Sequence, residues 1–125
     1  MDKKKILIVD DDKFLLDIYS TKFRTSGYDV DIAMDGKEAI EKITAADAYS
    51  FVLMDVAMPV LGGFETLEEL KEKKLLGKFP IIMLTNAART EELERGNKLG
   101  AKGYIIKSQH TPSEIVKIVE KIISG

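Results

Sequence analysis

The chain has 125 residues, of which 45% are hydrophobic and 32% charged, and its formal net charge is -2 at pH 7. That is the size of one ordinary domain with enough apolar residues for a core, and the balanced charge gives no reason to expect nucleic acid or an anionic membrane as a partner. Cysteine is absent, which excludes disulfides and thiolate metal sites, and no apolar stretch approaches the roughly 20 residues of a membrane span. The basic start is followed by too short an apolar run for a secretory signal. A cytoplasmic protein is expected, with residues 1–125 in a single domain.

Ile6-Leu7-Ile8-Val9 is an unbroken apolar run, the pattern of a strand buried on both faces of a parallel sheet. It ends in Asp10-Asp11-Asp12, and Asp12 stands where the N-cap of a following helix belongs. Leu15, Ile18, Tyr19 and Phe23 then recur at helical spacing. Val30-Asp31-Ile32-Ala33 alternates, as an edge strand does, and Ala39, Ile40 and Ile43 mark a second helix. Phe51-Val52-Leu53-Met54 is closed by Asp55, and Phe64, Leu67 and Leu70 mark the third helix. Pro80-Ile81-Ile82-Met83-Leu84 is closed by Thr85. Thr90 to Leu99 predicts a fourth helix, poor in apolar residues and loosely held, with Gly100 as its stop. Gly103-Tyr104-Ile105-Ile106 is closed by Lys107. A capping box of Thr111 and Glu114, with Pro112 at the first helical position, opens the last helix. Its apolar stripe is Ile115, Ile118, Val119, Ile122 and Ile123.

Five strands alternating with five helices predict an α/β fold: a doubly wound, five-stranded parallel sheet of order 2-1-3-4-5, flavodoxin-like, with helices on both faces. In that order ligands bind beyond the carboxyl ends of the first and third strands. Asp10, Asp11, Asp55, Thr85 and Lys107 all fall on that edge. Singly, each has an ordinary reading: a solvated aspartate, a turn threonine, a solvated lysine. Together they form an acidic cluster facing a hydroxyl and an ammonium. Clustered carboxylates repel unless a cation joins them, and Mg²⁺ suits oxygen ligands that leave room for water. A carboxylate nucleophile beside such a cation suits phosphoryl transfer, with Lys107 as a second positive clamp and Thr85 as a hydrogen-bond donor. Tyr104 fits either a core position or an inward–outward rotamer. His110 reads as a solvated loop residue, and Met34, Met54, Met58 and Met83 read as packing residues.

The segments Ile6–Asp11, Leu53–Pro59, Met83–Thr85 and Gly103–Lys107, in this order and at these strand ends, resemble the receiver domains of two-component signalling over essentially the whole chain. The resemblance implies that Asp55 accepts a phosphoryl group. It implies that Asp11 ligates Mg²⁺ directly, that Asp10 acts more through water, and that Ala57 lends a backbone carbonyl. Thr85 would be the switch hydroxyl, Tyr104 the aromatic that follows it, and Lys107 the phosphate contact. The implied donor is a histidine kinase, a histidine phosphotransfer protein or a small acyl phosphate. The implied output is a downstream protein or output domain that reads the helix 4–strand 5–helix 5 face, or a phosphorylation-dependent dimer. Such a domain is not an enzyme in the ordinary sense, although it assists its own phosphorylation and dephosphorylation.

Some positions depart from the family pattern. Gly62 stands where an aspartate is frequent, which affects only the cap of the third helix. Ser108 replaces a frequent proline, so a trans peptide is expected there. Ala57 and Ala87 are small and leave room beside the site. The competing reading is a Mg-dependent phosphohydrolase with an aspartate nucleophile, which needs a second acid where Ala57 stands. A flavin module would need a phosphate-binding loop where Asp10-Asp11-Asp12 stands.

Overall fold

A computed structural model describes residues 3–86 and 89–125. Each apolar run is a strand: β1 Lys5–Val9, β2 Asp29–Ala33, β3 Val52–Asp55, β4 Ile81–Thr85 and β5 Gly103–Ile106. Between them lie α1 Lys13–Thr25, α2 Gly36–Ala45, α3 Gly63–Glu72, α4 Thr90–Lys98 and, last, α5 Pro112–Ser124. All strand pairs are parallel, in the order β2-β1-β3-β4-β5 expected for the doubly wound fold. The central strands β1, β3 and β4 have apolar contacts on both faces, so their sequences do not alternate. Leu7, Val9, Val52, Met54 and Met83 pack toward α2 and α3, while Ile6, Ile8, Leu53, Ile82 and Leu84 pack toward α1 and α5.

Helix ends follow local chemistry. Asp12 caps α1, its side chain accepting hydrogen bonds from the backbone N–H of Phe14 (3.0 Å) and Leu15 (3.2 Å). Thr111 and Glu114 form the expected reciprocal capping box on α5. Gly100, at φ 96°, closes α4 by donating to Asn97, while the Ala101 N–H reaches back to the Gly96 carbonyl. Gly62 caps α3 without a side-chain bond. The described residues contain no cis peptide bond, so the Lys107–Ser108 bond is trans, as expected.

Three expectations need correction. The α1 face that enters the core is Leu16, Tyr19, Ser20 and Phe23, whereas Leu15 and Ile18 are half-buried beside it. Met54 and Met83 are buried, but Met34 is exposed because it follows the last residue of the edge strand β2. His110 is half-buried after the short 3₁₀ turn Lys107–Gln109 rather than fully solvated.

Ser20 presents a simple test of the packing. Its hydroxyl oxygen is buried and finds no hydrogen-bond partner among the described residues. An unpaired buried hydroxyl costs stability, and alanine is the better helix former. Ser20→Ala should therefore stabilise the chain by about 1 kcal/mol in urea unfolding. A loss of stability would mean that the hydroxyl is paired.

Candidate functional site

The parallel register delivers the polar strand ends to one edge. Val9 pairs with Met54, so Asp10 and Asp55 follow on neighbouring strands. Asp55 pairs with Leu84 and Thr85 with Ile106, which brings the next residue, Lys107, to the same edge. Oxygen atoms of Asp10, Asp11 and Asp55 all lie within 4.8 Å of one another. Asp10 and Asp55 are buried, while Asp11 is exposed. Thr85 is buried at the end of β4.

Lys107 binds this cluster together. Its Nζ donates to Asp10 Oδ2 at 2.8 Å and lies 3.2 Å from Asp55 Oδ1. Asp10 is itself fixed on both sides, because its Oδ1 accepts the Asp12 N–H at 2.9 Å. Burial pushes the Asp55 carboxyl up to about 6, with Lys107 opposing the rise and Asp10 adding to it. Burial alone would push the Lys107 ammonium down, but the hydrogen bond to Asp10 and the charge of Asp55 outweigh it and leave the group raised. The two directions are compatible. One ammonium is shared by two carboxylates, and Asp10 takes the shorter contact.

The loop after β3 is strained beside this cluster. Leu61 N–H donates to the Pro59 carbonyl at 2.7 Å across Val60, which has φ 67°. That is a γ-turn of the rare, unfavourable hand, occupied by a β-branched residue. Gly36 secures it: its N–H donates to the Leu61 carbonyl at 3.1 Å, and a Cβ there would collide with Thr66. Neither Val60 nor Gly36 was singled out by sequence reasoning. A γ-turn leaves no periodic signal, and a glycine before a helix reads as an ordinary start.

The structure thus brings together Asp10, Asp11, Asp55 and Lys107, with Thr85 on the same edge. Ala57 is exposed in the loop after Asp55, and Ala87 lies outside the described residues. Tyr104 lies apart, half-buried against α4, with its hydroxyl donating to the Glu92 carbonyl at 3.0 Å. Tyr19 is buried on α1 within the field of Lys107, Asp10 and Asp55, a second-row neighbour that its helical spacing alone did not reveal.

Known proteins resemble this chain in sequence and fold. The response regulator receiver domain family matches residues 6–120. The alkaline phosphatase synthesis transcriptional regulatory protein PhoP of Bacillus subtilis (strain 168) is 38% identical over 122 residues, covering 96% of this chain and 48% of that protein. A transcriptional regulatory protein CpxR homolog of Haemophilus influenzae is 39% identical over 116 residues, covering 91% of this chain and 48% of that protein. The chain therefore spans about half the length of these curated relatives. The solved chemotaxis protein CheY4 of Vibrio cholerae is 30% identical, with a TM-score of 0.87 over 97% of this chain and 99% of that one. The chain belongs to the response regulator receiver domain family, and its function is that of a receiver in two-component phosphorelay signalling. Among the described residues, no helix is long and apolar enough to cross a membrane.

The raised Asp55 carboxyl has a thermodynamic consequence for the metal-free protein. Its folded value, about 6, exceeds the ordinary 3.8, so the folded state holds this proton more tightly than the unfolded state. Stability should fall as pH rises through the window between those values and stay level above it. Asp55→Asn should remove this component and be the more stable protein at neutral pH. Urea unfolding of both proteins in chelator, from about pH 4 to about pH 7, checks this. A wild type that gains on the variant as pH rises would contradict it.

Proposed function

We propose that Asp55 is the phosphoacceptor, receiving its phosphoryl group from a histidine kinase or a histidine phosphotransfer protein. The observation that carries this reading is the buried Asp55 carboxylate, 3.2 Å from the Lys107 ammonium and beside two further carboxylates. An oxygen of Asp55 forms the new P–O bond as the donor's P–N bond breaks, and the imidazole nitrogen leaves with the electron pair. Lys107 then turns from a carboxylate oxygen to a phosphoryl oxygen, while Asp10 keeps its ammonium aimed. Thr85 offers its hydroxyl to another phosphoryl oxygen. The small, exposed Ala57 leaves water a path to the phosphorus, so the domain assists its own dephosphorylation.

Asp10, Asp11 and Asp55 form a donor set that fits a hard divalent cation such as Mg²⁺, and the backbone carbonyl of Ala57 would complete the protein's share of its ligands. When bound, the cation supplies positive charge against the phosphoryl oxygens.

Thr85 pairs with Ile106 and Met83 with Tyr104, so Thr85 and Tyr104 are diagonal neighbours on one face of the sheet. A shift of Thr85 is therefore felt by Tyr104 and, through it, by α4. The α4-β5-α5 face is then read by an output domain, by a separate protein or by a second phosphorylated copy. A single receiver unit over residues 1–125 and a cytoplasmic setting belong to the same reading. The phosphohydrolase alternative lacks its second acid, since Ala57 occupies that position.

Acetyl phosphate with Mg²⁺, followed by intact mass, tests the reading. A single phosphoryl adduct should form on the wild type, and it should be absent in Asp55→Asn and in chelator. An adduct retained by Asp55→Asn would remove Asp55 from its role. Multiple turnover of a small phosphate ester would favour the hydrolase.

A further inference from the structure

Gly96 is the buried residue of α4. Glycine weakens a helix interior, and α4 has little apolar surface with which to compensate. What the missing side chain provides is space. A Cβ at position 96 would collide with the Tyr104 ring and stand 2.8 Å from its hydroxyl oxygen. The hydroxyl passes through that gap to the carbonyl of Glu92, one helical turn earlier. On its other side the ring meets Phe64 of α3, centroid to centroid 6.4 Å. Arg95 lies over the Phe64 ring at 4.8 Å and pairs with Glu68 (2.6 Å) and Glu65 (3.4 Å). Those ion pairs are exposed and screened, so they hold α4 weakly. The seated tyrosine is the stronger attachment.

We propose that Gly96 and Tyr104 form a latch: the ring, plugged into the gap at Gly96, holds α4 on the sheet, and switching consists of withdrawing the plug. The proposal rests on the receiver mechanism above, because Thr85 is what draws the ring away. Gly96 is thus a positioning residue that acts through Tyr104 and takes no part in the chemistry at Asp55.

A double-variant cycle tests the latch without any ligand. In the Tyr104 background, Gly96→Ala should lower the melting temperature, because the methyl group evicts the ring. In the Tyr104→Ala background the same change should raise it by about 3–5 °C, since only helix propensity remains. A rise in both backgrounds would overturn the latch. Hydrogen exchange then reads the switch itself. Beryllofluoride should speed exchange of the 90–98 amides in the wild type, and Gly96→Ala should show that faster exchange without it. Both proteins should take the phosphoryl group from acetyl phosphate equally. Slow, wild-type-like exchange in Gly96→Ala would overturn the proposal. Loss of the Asp55 adduct in the wild type would instead overturn the receiver mechanism, and with it the switching role, whatever the sign of the cycle.

Discussion

The contact on which the site depends is the ammonium of Lys107 held between Asp10 and Asp55. Asp10 is fully buried and Asp55 nearly so, and two carboxylates that close would not both remain charged out of water. Lys107 makes the arrangement tolerable, and it comes from the opposite end of the chain. Only a sheet in which β1, β3, β4 and β5 run parallel, side by side, sends all of these residues to one edge. The topology and the electrostatics are therefore one constraint. The apolar strands set the register, and the register sets the spacing of the charges.

Compensation by a single ammonium remains incomplete, and that incompleteness is useful. Burial, with a smaller push from Asp10 and Asp11, leaves Asp55 with a raised affinity for protons, and three carboxylates facing one cation leave the cluster with a demand for further positive charge. The same deficit suits a divalent ion and the chemistry of an incoming phosphoryl group. Around the cluster, rigidity is obtained at local cost. Val60 is held in an unfavourable γ-turn, secured by Gly36, and Gly96 weakens α4 while it receives Tyr104. The helix that is least tied to the core is also the one that Tyr104 reaches through its hydroxyl.

Much of this was legible in the sequence because periodicity and strand-end chemistry are local. Unbroken runs such as Ile6–Val9 identify two-sided burial, and the acidic triplet, Asp55, Thr85 and Lys107 identify the edge where ligands bind. Asp12, Thr111 and Pro112 announced their helix starts through capping chemistry within a few residues. Other features were hidden because they depend on distant partners. The bond from Lys107 to Asp10 joins residues far apart in the chain, and the sequence alone suggested only a clamp for phosphate oxygens. The outward turn of Met34 depends on which strand lies at the edge. The rotated face of α1 depends on how the helix settles on the sheet, which helical spacing leaves open by one residue. The value of Gly96 appears only when the Tyr104 ring is seen to occupy the space of its missing side chain.

Equilibrium unfolding of Lys107→Met, with and without Mg²⁺, tests the electrostatic unit most directly. Removing the ammonium strands two buried carboxylates, so the variant should lose about 3–5 kcal/mol in chelator. Mg²⁺ should restore most of that loss by taking the place of the ammonium among the same oxygens. A loss below about 1 kcal/mol, the range of an exposed ion pair, or a loss that Mg²⁺ leaves unchanged, would contradict it.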